Sequence, residues 1–389
     1  VSSPTDPPGW RFDRPTDAPA DSVVAFDVEH TEGAARAAVM TTPRGPVCTP
    51  AFMPVGTRGA VRALDSRDLA ALGAQVVLAN TYHLMLRPGA EDVARFGGLH
   101  RFMGWDGHLL TDSGGYQVFS LAPDVDDDGV TFASTYDGDR HRLTPERAVH
   151  LQHLLGADVQ MVLDVCPPIP APIGVVRTAV ERTAAWAARA KAAHAPLRHA
   201  GSGQALFGIV QGGVDPSLRR QSAQRTVEIG FDGYAVGGLS VGEPRPELLE
   251  ALGVALADLP ADRPRYLMGV GDPRGLIEAI GLGVDLFDCV LPTRFARHGT
   301  ILTHGGRYNL RAKVNDVDEP LDVACTCEVC VRWSRGYLRH LLRVHEPTAL
   351  RLLTLHNVGW LIGLADRARR AIVAGTFDVL RTEVGEVWP

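Results

Sequence analysis

Residues able to do chemistry gather at two kinds of place in this chain. Cys325, Cys327 and Cys330 stand within the six residues CTCEVC, and His340, His345 and His356 follow. Three thiolates and one imidazole make a closed tetrahedral zinc site, and four protein ligands leave no open position, so such a site is structural. Simple packing of small cysteines explains the cluster less well, because the Thr, Glu and Arg around them form no apolar stripe. A redox pair calls for an isolated Cys-x-x-Cys on a strand-to-helix turn, whereas the third thiol and the downstream histidines argue for metal. The spacing leaves open which histidine completes the set.

The second place is a series of strand ends. Asp112 in LLTDSGGYQVFS, Asp164 in DVQMVLD, Gln211 in LFGIVQ and Asp288 in GVDLFDCVLPTR each close a short apolar run. After Asp112, the backbone amides of Ser113, Gly114 and Gly115 can approach a flat ligand closely before Tyr116. An Asp-Ser pair also caps helices, and the residues alone leave Asp112 with both roles. Asp288 ends a nearly wholly apolar run, the partly desolvated setting in which a carboxylate acts as nucleophile or acid/base. Two carboxylates facing one anomeric carbon suit glycosyl transfer, since one attacks while the other shuttles the proton of the leaving group. Asp164 and Gln211 offer an edge that reads the donors of a purine, and Gly238 adds backbone polar groups.

The elements that must position these groups are apolar runs alternating with helical segments. QVVLAN, HLLTD, DVQMVLD, LFGIVQ, GYAVGG, RYLMGVG and VDLFD are continuous apolar strands of a parallel sheet, and TPAFMPVG is an eighth. TPERAVHLQHLLGA reads as a helix with a Thr cap and Pro in its first turn, and PELLEALGVALADL as another. Eight strands with polar groups at their C-terminal ends predict a (β/α)8 TIM barrel. A doubly wound sheet would carry GxGxxG after its first strand, and none stands there. Arg332, Arg335, Arg339 and Arg343 fall three and four apart and are expected on one face of a helix, with Arg294 and Arg297 nearby as a basic approach to the carboxylates. DVDDDG at 124–129 lacks the terminal Glu of a calcium loop, since Thr135 stands at that position, and reads as a solvated acidic loop.

Composition bounds the reading. The 389 residues carry a formal charge of -6, which gives no global attraction to nucleic acid, so a polyanion partner would need a local basic patch. Residues 1–25 are rich in Pro, Asp and Ser and are expected to be a disordered tail, followed by a barrel unit over 26–389 with a zinc subdomain near 305–360. No apolar run reaches membrane length, and scattered Cys48, Cys166 and Cys289 suit a reducing cytoplasm.

Taken together, the motifs resemble the bacterial tRNA-guanine transglycosylases, from about Ala35 to the C-terminus. TPAFMPVGT, ANTYHLMLRPG, LTDSGGYQVFSL, GIVQGG, PRYLMGVG, DLFDCVLPTR and Cys-x-Cys-x2-Cys with a later His-Asn carry the resemblance in order. It implies that Asp288 is the nucleophile on the ribose anomeric carbon and Asp112 the general acid/base. It implies that Asp164, Gln211 and Gly238 hydrogen-bond a base stacked between Tyr116 and Met268, with Glu243 acting through the backbone around Leu239. It assigns RNA contact to Gly269, Val270, Gly271, Asp272, Pro273, Arg274 and Gly275, and to Thr293, Arg294, Phe295, Ala296 and Arg297. It selects His356 as the fourth zinc ligand and implies a homodimer acting on tRNA with a wobble guanine.

One departure bears on substrate. GGLSVGE has Ser240 where bacterial members carry Ala, yet Val241 is kept. A bulky Val241 should crowd the cyclopentenediol of queuine, so the expected base is 7-aminomethyl-7-deazaguanine. Two other readings compete: a non-catalytic RNA-binding subunit, which would lack one or both catalytic carboxylates, and a nucleoside hydrolase, which leaves the zinc subdomain without a purpose.

Overall fold

The computed structural model describes residues 15–19, 22–121, 123–168 and 170–388. Eight short parallel strands close into a barrel: β1 Ala51–Gly56, β2 Val76–Ala79, β3 His108–Thr111, β4 Val159–Met161, β5 Ala205–Val210, β6 Gly233–Val236, β7 Arg265–Leu267 and β8 Leu286–Cys289. Each strand pairs with the next in the chain, and β8 returns to β1 with Leu286 opposite Ala51 and Asp288 opposite Met53. All eight runs read from the sequence are barrel strands. Closure leaves no exposed sheet edge and buries the strands on both faces, which is why their sequences are apolar throughout. Around them pack helices such as Pro145–Leu155, where Thr144 Oγ1 accepts from Arg147 N at 3.2 Å and left-handed Gly156 ends the helix.

An antiparallel sheet of Ala25–Glu32, Ala35–Thr42 and Gly45–Thr49 precedes the barrel and lies at the N-terminal ends of its strands. Two of its arginines reach into the barrel base: Arg36 pairs with Asp285 at 2.5 Å, and Arg44 with Asp158 at 2.7 Å. Of the tail expected over 1–25, residues 1–14, 20 and 21 lie outside the described residues. Its end departs from the expectation, because Val23 and Val24 are buried and Ser22 Oγ donates to Asp232 at 2.7 Å. Two adjacent valines supply the apolar area that ties this stretch to the core.

The C-terminal part packs a small core of its own around Leu310, Leu321, Val329, Leu338 and Leu342. Helix Pro347–Ala374 joins it to the barrel: Leu352 and Leu353 belong to the small core, while Leu361, Leu364 and Ala368 belong to the main one. The basic helix face expected for Arg332, Arg335, Arg339 and Arg343 is not formed. Ser334 caps a new helix, Arg335–Arg343, by accepting from Tyr337 N, and this separates Arg332 from the rest. Arg335 pairs with Glu319, and buried Arg339 donates to the carbonyls of Arg311 and Ala312. These two arginines hold the small core together instead of facing solvent. Asp126, Asp127 and Asp128 are exposed and meet Arg142, Arg182 and Arg189, as a solvated acidic loop does. No helix among the described residues is long and apolar enough to cross a membrane.

Candidate functional site

At the C-terminal ends of the strands opens a cavity of ≈ 400 Å³, the edge on which a barrel collects loops from every strand. Asp112, Asp164, Gln211, Gly238, Leu239, Tyr116, Met268 and Asp288 all line it. Ser113, Gly114 and Gly115 do not. They are buried behind Asp112, where Ser113 Oγ accepts from Gly115 N, and left-handed Gly114 lies where a Cβ would come 3.1 Å from Tyr82 N.

Each carboxylate is set by its neighbours. Asp112 Oδ1 accepts from Thr81 N at 2.7 Å and Gly114 N at 3.2 Å, and Oδ2 accepts from Asn80 Nδ2 at 2.5 Å. Asp112 does not cap the helix that follows it, since Gly114 starts Gly115–Phe119 without a side-chain cap; its carboxylate instead receives the first amide of helix Thr81–Leu86 and keeps a place in the cavity wall. Burial raises the Asp112 carboxyl to about 6 against the pull of those hydrogen bonds, so it exchanges a proton near neutrality. Asp164 accepts from Gln211 Nε2 at 2.5 Å and is also pushed by burial to about 6. Asp288 Oδ1 accepts from Tyr266 Oη at 2.5 Å and from Gly269 N at 2.8 Å, and burial raises its carboxyl above the ordinary value. Both donors fall on Oδ1, which leaves Oδ2 as the oxygen free to meet a ligand.

The other side of the cavity is backbone. Gly238 has φ +63°, and a Cβ there would lie 2.3 Å from Gln211 Oε1, so only glycine lets the reading edge close. Beneath it, fully buried Arg219 donates to the carbonyls of Val210, Gly213, Gly237 and Gly238 and ties the loops after β5 and β6 together. Glu243 accepts from the amides of Ser240 and Val241, and because the Ser240 amide shares a planar peptide with the Leu239 carbonyl, this fixes the backbone around Leu239. Tyr116 is 65 % exposed, a ring standing free at the entrance.

The segments expected to touch RNA are turned both ways. Val270, Gly271, Pro273, Gly275, Thr293 and Ala296 are buried, because helices Pro273–Gly281 and Leu291–His298 turn every third or fourth residue inward. Gly269, Arg294 and Arg297 are exposed, and Asp272, Arg274 and Phe295 are half-buried. Asp272 caps its helix through Gly275 N at 2.8 Å, and Arg274 pairs with Glu278. The surface these segments offer is thus narrower than the full set of twelve residues.

The cysteine cluster completes itself with His356. Its Nδ1 lies 3.9, 3.5 and 3.4 Å from the sulfurs of Cys325, Cys327 and Cys330. Tetrahedral zinc with ordinary Zn–S and Zn–N bonds separates such ligands by about 3.6 Å. His356 Nε2 donates to Leu302 O at 2.7 Å, which leaves Nδ1 to face the sulfurs, the usual outer support of a metal-bound imidazole. His340 and His345 are exposed and outside the cluster.

Reading the strand ends missed Asn80, Tyr266 and Arg219. Asn80 and Tyr266 stand inside quoted motifs, ANTYH and PRYLMG, but their hydrogen bonds to Asp112 and Asp288 cross from one strand to another. Only the strand-end position of Asn80 was a signal available beforehand.

Comparisons with known proteins agree with this geometry. A family profile for queuine tRNA-ribosyltransferase matches residues 30–389. A queuine tRNA-ribosyltransferase of Sphingopyxis alaskensis is 51% identical over 92% of this chain and 96% of its own length. Those of Solidesulfovibrio magneticus and Zymomonas mobilis are 51% and 48% identical, over 94% and 93% of this chain and 98% and 94% of their own lengths.

Proposed function

This chain belongs to the queuine tRNA-ribosyltransferase family, and on that premise we propose that it exchanges the wobble guanine of tRNAs with a U-G-U anticodon sequence for 7-aminomethyl-7-deazaguanine. The enzyme is a pentosyltransferase, a tRNA-guanine transglycosylase of queuosine synthesis. What carries the finer reading is that Asp288 and Asp112 face one cavity, each without a cationic partner among the described residues, beside the Asp164–Gln211 edge.

The target nucleotide leaves its stack to enter the cavity. Asp288 Oδ2 attacks the ribose anomeric carbon as the bond to guanine breaks, while Tyr266 and Gly269 hold Oδ1 and fix the carboxylate plane. Positive charge spreads over the sugar in the transition state, and a carboxylate with no competing cation stabilises it most. Asp112 in its protonated form gives its proton to the departing guanine. The incoming deazaguanine returns a proton to Asp112 and attacks the same carbon, which releases Asp288. Asp164 accepts from the amino and imino donors of the base, the Gln211 side chain and the Gly238 backbone complete its edge, and Tyr116 and Met268 cover its two faces. Asp164 must be ionised to accept twice, so base binding weakens as pH falls through about 6.

Val241 lines the cavity beside Ser240, which supports preference for the small aminomethyl group over the cyclopentenediol of queuine. Cys325, Cys327, Cys330 and His356 would hold one structural Zn²⁺ per subunit and brace the small core against the barrel. Gly269, Arg294 and Arg297 are the exposed part of the RNA surface near Asp288. The protein acts as a homodimer in the cytoplasm, where its six cysteines, none in a disulfide, stay reduced.

Incubation with tRNA of U-G-U anticodon sequence and labelled guanine tests the exchange. Incorporation of label supports it, release of guanine without incorporation identifies a hydrolase, and neither identifies a binding module. Equal use of queuine and the aminomethyl base would reject the role given to Val241.

A further inference from the structure

We propose that Tyr136, carrying the guanidinium groups of Arg58 and Arg87 on its ring, forms a second RNA-binding platform on the arc of the barrel mouth after β1, β2 and β3. The inference rests on the tRNA reading above and extends it, since the RNA surface given there follows β7 and β8. Arg58 lies in the loop after β1, Arg87 ends helix Thr81–Leu86 after β2, and Tyr136 sits in the turn between strands Val130–Ala133 and Arg140–Leu143. Three separate loops are thus brought to one ring. The Arg87 guanidinium carbon lies 4.6 Å from the ring centroid and that of Arg58 5.4 Å. Tyr136 Oη is 3.0 Å from His83 Nδ1, and His83 lines the cavity with Asn80 and Asp112. The platform therefore adjoins the site itself.

Both arginines are exposed, and neither forms an ion pair among the described residues. Asp137, next to Tyr136, is engaged by Asp139 N at 3.1 Å; the Arg87 charge is near enough to help that hydrogen bond lower its carboxyl, yet the two form no ion pair among the described residues. Cation–π attraction to the ring holds each guanidinium but neutralises neither, and two like charges on one ring repel. Such a pair is best satisfied by an anion. The mouth holds three carboxylates and the chain is negative overall, so a phosphodiester must be drawn in by cations beside the opening. An RNA strand that inserts one nucleotide leaves a phosphate on either side of it. Arg294 and Arg297 serve one side, and Arg58 and Arg87 stand ready for the other. Their planar outer faces also suit stacking by an unpaired neighbouring base.

The test measures binding of an anticodon stem-loop containing U-G-U to the full chain across a salt series, beside the KM values for tRNA and free base. The double variant Arg58→Ala, Arg87→Ala is expected to weaken RNA binding on the order of tenfold at moderate salt and to flatten the salt slope by about 0.7 for each phosphate no longer neutralised. The KM for free base should stay within about twofold, because the counterion release that the two arginines drive comes from phosphates, which a free base lacks. Tyr136→Phe keeps the ring between the arginines and is expected to retain the wild-type salt slope. Both arginines are exposed, so equal melting temperatures of wild type and double variant are expected. Unchanged RNA affinity and slope in the double variant, with active wild-type exchange, would overturn the platform. A wild type that incorporates no guanine would instead count against the exchange reading itself, and the salt slopes would still decide the platform.

Discussion

Each end of the barrel gathers three aspartates, and the two sets differ in their company. At the base, Asp285 meets Arg36, Asp158 meets Arg44 and His100, and Asp232 meets Arg198. At the mouth, among the described residues, Asp112, Asp164 and Asp288 accept from neutral groups such as Asn80, Gln211, Tyr266 and backbone amides. Burial pushes the Asp158 carboxyl up, yet His100, Arg44 and His108 together bring it below the ordinary range. The same burial goes unopposed by any cation at Asp112 and Asp164, which rise to about 6. At Asp285 burial outweighs even the Arg36 pair and leaves the carboxyl raised, so the contrast is sharpest between Asp158, a structural anion, and the reactive groups of the mouth. A paired carboxylate has its charge answered already, whereas one held by neutral donors can still answer the charge that develops on a sugar.

The largest expected effect separates the sets by activity. Asp288→Asn should lower base exchange by at least about 10³-fold and abolish a covalent tRNA adduct on a denaturing gel, with metal content and folding intact. A persisting adduct would remove Asp288 from the nucleophile role and blur the contrast. Next comes stability. Asp285→Ala leaves Arg36 buried without its partner and should cost about 3–5 kcal/mol in denaturant unfolding, while the folded fraction keeps its turnover. If the variant lost turnover at undiminished stability, the base would have to be counted as part of the site. The smallest effect depends on pH. A carboxyl raised from 3.8 to about 6 favours the fold below pH 3.8, and that contribution is lost as pH rises through 6. Asp164→Asn removes the titration, so its stability relative to wild type should improve between pH 4 and pH 7 by up to about 3 kcal/mol. A difference that stays flat across that range would mean that Asp164 is not held protonated by burial.

How far the residues alone could be read follows from the range of the forces involved. The eight strands were legible because burial on both faces demands continuous apolar runs, a local property. Asp112, Asp164, Gln211 and Asp288 were legible because a polar group closing such a run must point out of the barrel end. The arginine face failed for a local reason too: Ser334, a good N-cap, breaks the helix that regular spacing implied. Arg339 was misjudged because spacing does not tell whether the occupied face meets solvent or the carbonyls of Arg311 and Ala312.

The amino-acid sequence by itself determined the barrel, the strand-end carboxylates and the three clustered thiols, since these depend on patterns a few residues long. Only the tertiary structure shows Tyr266 on Asp288, Asn80 on Asp112, and Arg58 with Arg87 on Tyr136, and it brings to the sulfurs the His356 that the family motifs select and that spacing alone leaves open. The physical reason is that hydrogen bonds and ion pairs act over a few ångströms, and only strand pairing and tertiary packing bring residues tens of positions apart within that distance.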